Sequence, residues 1–247
     1  MGAILGYEDV FPTIFGRATG EYFNQIFVKS SDNTNGNFGY NWVTLYMVAI
    51  TTVIAYLFGL PLGVLLAITR KDGILPHPTF NKVLSWIVDI LRSIPFLLLL
   101  IFLIPFTRNL LGRSYGTNAL IVPLAIASIP FVARVVETSL LEVDRGLIEA
   151  FLTMKASKLT IIYHVYFRES IPSLVRGVAI SSIAIIGYST MSYVIGAGGL
   201  GQYAYSIGYV QKNDYALIAR CIVALIIMVE FFQSSCNVLS KKIDKRN

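Results

Sequence analysis

Residues 42–69 read "WVTLYMVAITTVIAYLFGLPLGVLLAIT", a stretch with no Asp, Glu, Lys or Arg anywhere along it. A helical run of about 20 apolar residues is long enough to cross a hydrocarbon core of about 30 Å. The stretch lacks the polar/apolar alternation of a barrel strand, so a helix is expected. Working outward, four further windows are also predominantly apolar, with at most two charged residues each: 83–106, 119–136, 178–195 and 216–239. Over the whole chain of 247 residues 55% are apolar and 14% charged, and the mean hydropathy is +0.66. That balance is too apolar for a soluble domain of this length. The expected fold is an all-α integral membrane protein with five transmembrane helices.

The net charge of +6 matters less than where the cations fall, because Lys and Arg set topology. Twelve lie on one side: Arg70, Lys71 and Lys82 after the first span, Arg145, Lys155, Lys158, Arg168 and Arg176 after the third, and Lys241, Lys242, Lys245 and Arg246 after the fifth. Five lie on the other: Arg17, Lys29, Arg108, Arg113 and Lys212. The N-terminus is therefore expected outside and the C-terminus in the cytoplasm, with membrane lipid and not nucleic acid as the partner of the basic charge.

Residues 1–41 form an opening segment with aromatic residues at roughly helical spacing, expected to lie along the outer interface or to lead irregularly into the first span. No cleavable signal peptide is expected, since no basic start is followed by a continuous apolar core in the first thirty residues. Residues 240–247 are a cytoplasmic basic tail. Cys221 and Cys236 read as small buried hydrophobes on one helix, and His77 and His164 stand alone, so neither a disulfide nor a metal cluster is expected. Asp89 and Arg92 fall inside the second window, where an Arg extends its head to the interface.

The connection between the third and fourth spans, residues 139–175, is long for a loop between helices and not disordered in composition. In "DRGLIEAFLTM", Leu147, Phe151 and Met154 are spaced i, i+4, i+7 on one helical face, and Ser157 then supplies a helix cap before "KLTIIYHVYF". Two short amphipathic helices joined near Lys155 and Ala156 form a firm knob for a cytosolic partner.

After the fourth window comes "GAGGLGQ", in which Gly196, Gly198 and Gly201 have the G-x-G-x-x-G spacing of a dinucleotide fingerprint. That fingerprint has meaning only between a buried strand and a helix N-terminus. Here the glycines follow a membrane span and face outward, so no dinucleotide site is expected. Gly196, Gly198, Gly199 and Gly201 are read instead as a structural turn, a tight backbone passage into the outer loop.

The ordered segments "RSIPF", "IPFTR", "GLIEA", "IGYSTM" and "GAGGLGQ" resemble those of the permease subunits of binding-protein-dependent ABC importers, methionine-type, from about residue 44 to 239. The loop of that family carries Glu-Ala-Ala, three residues, Gly, nine residues and Ile-x-Leu-Pro. This chain has Glu149 and Ala150, then departs at Phe151, Lys155, Val165, Phe167 and Arg168. The Lys155 departure bears on the turn between the two loop helices, where Gly accepts a left-handed backbone at little cost.

The resemblance implies a multi-pass permease of the bacterial cell membrane working by alternating access. Its implied partners are a second copy in a homodimer, two ABC ATPase subunits, and an extracytoplasmic substrate-binding protein, lipid-anchored or soluble. It implies no cofactor in this chain, with ATP and Mg2+ on the ATPase subunits, and no catalytic residue. Consistent with that, the chain has no G-x-x-x-x-G-K-[ST] loop. It further implies that the loop couples to the ATPase: Glu149 as polar anchor, Leu147, Phe151 and Met154 as apolar contacts, with Ala150, Lys155 and Ser157 in the same segment. A zwitterionic amino acid cannot cross hydrocarbon bare, and Ser189, Met191 and Ser192 are candidates for its hydrated path. Two alternatives stay open: a permease for another solute (another amino acid, phosphonate, glycine betaine), or an ion-coupled secondary transporter. Against the second, the spans show no inverted repeat and no row of intramembrane acids.

Overall fold

A computed structural model of the chain describes residues 39–243. The opening segment 1–41 thus lies almost wholly outside the described residues, as do the last four of the basic tail. Among the described residues every regular element is helical. In chain order they are α1 (Tyr40–Ile68), α2 (Pro78–Ser93), α3 (Phe96–Phe102), α4 (Ile104–Leu111), α5 (Thr117–Leu141), α6 (Arg145–Thr153) and α7 (Lys158–Ile161). A π-helical stretch Ile162–Phe167 leads into α8 (Arg168–Ser189), followed by a 3-10 stretch Thr190–Ile195, α9 (Gly199–Gln202), a second π-helical stretch Tyr203–Gln211, and α10 (Tyr215–Ile243).

Four helical stretches are long and apolar enough to cross a membrane: Tyr40–Ile68, Thr117–Leu141, Lys158–Ile195 and Tyr215–Ile243. A fifth crossing arises if the broken pair α2 and α3, bent by 93°, counts as one. The break has a local cause in "SIPF". Pro95 disfavours a helical residue before it, and Ile94 is accordingly extended, at φ −75° and ψ 123°. The fold is an all-α integral membrane fold.

The described residues form two compact units. One consists of residues 39–50, Leu100–Leu124 and Ile185–Glu230. Its interior is built from Met47, Leu120, Leu124, Leu200 and Leu217, all buried, and Tyr40 stacks on Tyr203 with ring centroids 4.2 Å apart.

The other consists of Thr51–Leu99, Ala125–Ala184 and residues 231–243. Within it α1 meets α5 through small residues spaced four apart. An added Cβ on Gly59 would come 2.8 Å from Val132, and one on Gly63 would come 2.5 Å from the Ala133 carbonyl oxygen and 2.7 Å from Val136 Cβ. Side chains there would force the helices apart, so Gly-x-x-x-Gly fixes the close crossing. From the start of α2, Asn81 donates to the Leu66 carbonyl at 2.7 Å and to Thr69 Oγ1 at 3.0 Å. These bonds occupy a carbonyl near the end of α1 and hold α2 against it. Large apolar side chains of this unit, among them Trp86, Val53 and Phe231, remain exposed, as hydrocarbon-facing residues do.

Candidate functional site

The segment after α5 is assembled from helix-end chemistry. Asp144, extended at ψ 127°, accepts a hydrogen bond from the Gly146 amide at 2.8 Å and starts α6. At the other end of α6 the Lys155 amide donates to the Leu152 carbonyl at 3.0 Å and the Ala156 amide to the Phe151 carbonyl at 3.1 Å. Those paired bonds are the Schellman arrangement, which requires a left-handed residue at the position Lys155 occupies. Lys155 adopts it, with φ +56°, at a steric cost of roughly 1 kcal/mol relative to Gly. Two residues on, Ser157 Oγ accepts from the Thr160 amide at 3.2 Å and starts α7.

The segment is anchored inward by an apolar cluster. Leu140, Val143, Ile161, Val165 and Tyr166 are buried together with Ala55 and Ala67 of α1, and Leu147, Ile148, Phe151 and Ala156 pack on them. Of the residues spaced on one face in the sequence, Leu147 and Phe151 therefore point into the chain's own core. Met154 follows the last helical residue, Thr153, and leaves that face; it is 65% exposed. Glu149, Ala150, Lys155 and Ser157 are exposed too. The outward apolar surface includes residues that the periodicity did not single out, Leu159 at 78% exposure and Tyr163 at 73%, and Leu152 near the end of α6. The available signal was that Leu159 and Tyr163 are spaced i, i+4 after the Ser157 cap, out of phase with the buried Ile161 and Val165.

A second polar site also went unread in the sequence. Arg134 of α5 donates from Nε and Nη2 to the Asp89 carboxylate of α2 at 3.1 and 2.7 Å, and from Nη1 to Glu137 at 2.6 Å. Nη2 also reaches the Ser85 carbonyl at 3.2 Å and the Ser85 hydroxyl. The guanidinium fork is suited to such shared recognition, and it neutralises two acids between helices of apolar sequence. Arg92 sits over the Phe131 ring, 5.6 Å from its centroid.

The glycine run is a backbone junction. Gly196, Gly198 and Gly199 have positive φ of 59°, 81° and 78°, and a Cβ on Gly201 would run into the Thr190 backbone. At Gly199 a side chain would also meet Thr44 Oγ1 at 2.7 Å, the same hydroxyl that accepts from the Leu200 amide at 2.9 Å. Ser192 accepts from the Gln202 amide at 3.1 Å, and Ser189 donates to its own helix at the Ile186 carbonyl at 2.8 Å. Both serines are buried and Met191 is half-buried. Among the described residues no group of three or more His, Cys, Asp or Glu side chains is placed to hold a metal ion.

The family model described as "Binding-protein-dependent transport system inner membrane component" matches residues 59–246. The chain is 42% identical to the probable D-methionine transport system permease protein MetI of Vibrio cholerae, over 83% of this chain and 91% of that protein. It is 41% identical to the methionine import system permease protein MetP of Bacillus subtilis, over 74% of this chain and 82% of that one. A solved inward-facing MetNI methionine ABC transporter contains a chain that matches with a TM-score of 0.80 and 40% identity, covering 83% of this chain and 94% of the solved one. With most of its length inside the matched region, the chain belongs to the family of binding-protein-dependent transport system inner membrane components.

Proposed function

We propose that this chain is the permease subunit of an ATP-driven importer for methionine. The observation that carries the reading is the near full-length likeness to a chain of the inward-facing methionine transporter, joined by relatives whose names specify the same substrate. The chain works as a homodimer on two ATPase subunits, which bind ATP and Mg2+, and an extracytoplasmic binding protein delivers substrate from outside.

The positive charge distribution supports an orientation with the N-terminus outside and the segment α6–α7 in the cytoplasm. In that orientation Glu149, Ala150, Met154, Lys155, Ser157 and Leu159 meet the ATPase, while Leu147 and Phe151 bind the segment to the permease core. Movement of the partner then reaches the spans through the apolar cluster that the segment shares with α1. ATP can drive the permease only through contacts that differ between its inward- and outward-open states. For the substrate path we retain Met191, whose thioether side chain is partly exposed, with Ser189 and Ser192 shaping the backbone around it.

Purification from native membranes in mild detergent, with partners identified by mass, tests the assembly. An ATP-hydrolysing subunit is expected in the complex; its absence overturns the reading. Uptake of labelled methionine into vesicles holding the complex tests the substrate. Competition by unlabelled methionine, and none by phosphonate or glycine betaine, is expected; the reverse order replaces methionine with the better competitor.

A further inference from the structure

Resting on the ATP-driven reading above, we infer that Lys155 is a specificity-determining cation, held at the tip of the α6–α7 turn to meet an acidic side chain on the ATP-hydrolysing partner. The backbone supplies the first reason. Lys155 has φ +56°, and the other non-glycine residue with positive φ among the described residues is Asn213, whose short amide tolerates that region far better than a long side chain does. A glycine would close the same Schellman turn without steric cost. Strained residues of this kind cluster at functional sites, where the strain accompanies a role.

No hydrogen bond or ion pair within the described chain gives that role to the Lys155 side chain. Lys155 is exposed, and it belongs to none of the ion pairs Arg134–Asp89, Arg134–Glu137, Arg145–Asp72 and Arg176–Glu142. Its surroundings instead describe a partner. Met154, Leu159 and Tyr163 offer exposed apolar surface, and Lys158 adds a second cation. A cleft with an apolar floor and an acidic rim fits this arrangement, because complementary rim charges select among clefts that share the apolar fit. An anionic bilayer surface fits less well. It attracts cations regardless of their exact position, and it has no use for a charge fixed by a strained turn.

The test compares wild type, Lys155→Gly, Lys155→Arg and Lys155→Glu in complex with the co-purifying ATPase subunit, in phosphatidylcholine nanodiscs and in nanodiscs containing phosphatidylglycerol. Lys155→Gly is expected to raise the melting temperature of the permease yet weaken retention of the ATPase subunit about fivefold, with a shallower salt dependence. Lys155→Arg should match wild type, and Lys155→Glu should retain less than Lys155→Gly. Equal or tighter retention by Lys155→Gly overturns the inference, as does a difference confined to phosphatidylglycerol nanodiscs, which would assign the cation to lipid. Wild type that retains no ATPase subunit overturns the proposed function as well, so the two failures are distinguishable.

Discussion

Arg134 of α5 holds Asp89 of α2 by two hydrogen bonds from one guanidinium, Nε to Oδ1 at 3.1 Å and Nη2 to Oδ2 at 2.7 Å. The same group pairs with Glu137, whose side chain is only 9% exposed. Removing the cation therefore leaves an acid stranded among apolar helices. Arg134→Met should destabilise the permease by about 3 kcal/mol, and Arg134→Lys, which keeps charge but not the fork, should recover less than half of that. Arg134→Met combined with Glu137→Gln should be more stable than Arg134→Met alone. Thermal unfolding in mild detergent reads all three.

Two glycines should respond to alanine with opposite signs. A Cβ on Gly63 meets backbone and side-chain atoms of α5 at 2.5 to 2.8 Å, so Gly63→Ala should cost about 1 to 3 kcal/mol. A Cβ on Gly187 meets nothing within 4 Å, and this helical position should gain about 0.5 to 1 kcal/mol as alanine. The same melting measurement separates them; equal effects would mean that α1 and α5 do not approach as closely as described.

The cap at Ser157 is local in its effect. Ser157→Ala removes the acceptor of the Thr160 amide and should cost about 1 kcal/mol. Faster amide hydrogen exchange confined to residues 158–161 of α7 is the expected signature, with α8 unchanged.

The two faces of α6–α7 should separate stability from transport. Leu147→Ala, on the buried side, should lower thermal stability by about 2 kcal/mol. Glu149→Arg and Leu159→Glu, on the exposed side, should leave abundance and melting unchanged while reducing ATP-driven uptake at least about tenfold. Transport that survives both surface changes would remove the coupling assignment.

Much of this molecule was legible in its sequence, and the reason is the bilayer. Spans of apolar residues and Ser157 before a helix each act within a few residues, so one local pattern suffices to read them; the break that Pro95 makes inside the window 83–106, expected as one span, was not read. The failures share a different physics. Leu147 and Phe151 share a helical face, but periodicity says only that one face is apolar, not whether the chain's own core or a partner covers it. The Arg134–Asp89 pair joins positions far apart in sequence, which no local pattern connects. Lys155 sits at the other limit: helix-end rules located the turn and named its preferred residue, and the backbone kept the left-handed geometry despite the side chain it had to carry.

The central claim is that α6–α7 faces the cytosol to receive a nucleotide-driven partner. Met154→Cys, placed in a Cys221→Ala, Cys236→Ala background to remove both native thiols, tests it with a membrane-impermeant thiol reagent. The account predicts labelling in inverted vesicles stripped of the ATPase subunit, protection when that subunit is bound, and none in right-side-out vesicles. Labelling from the exterior in sealed right-side-out vesicles would contradict it.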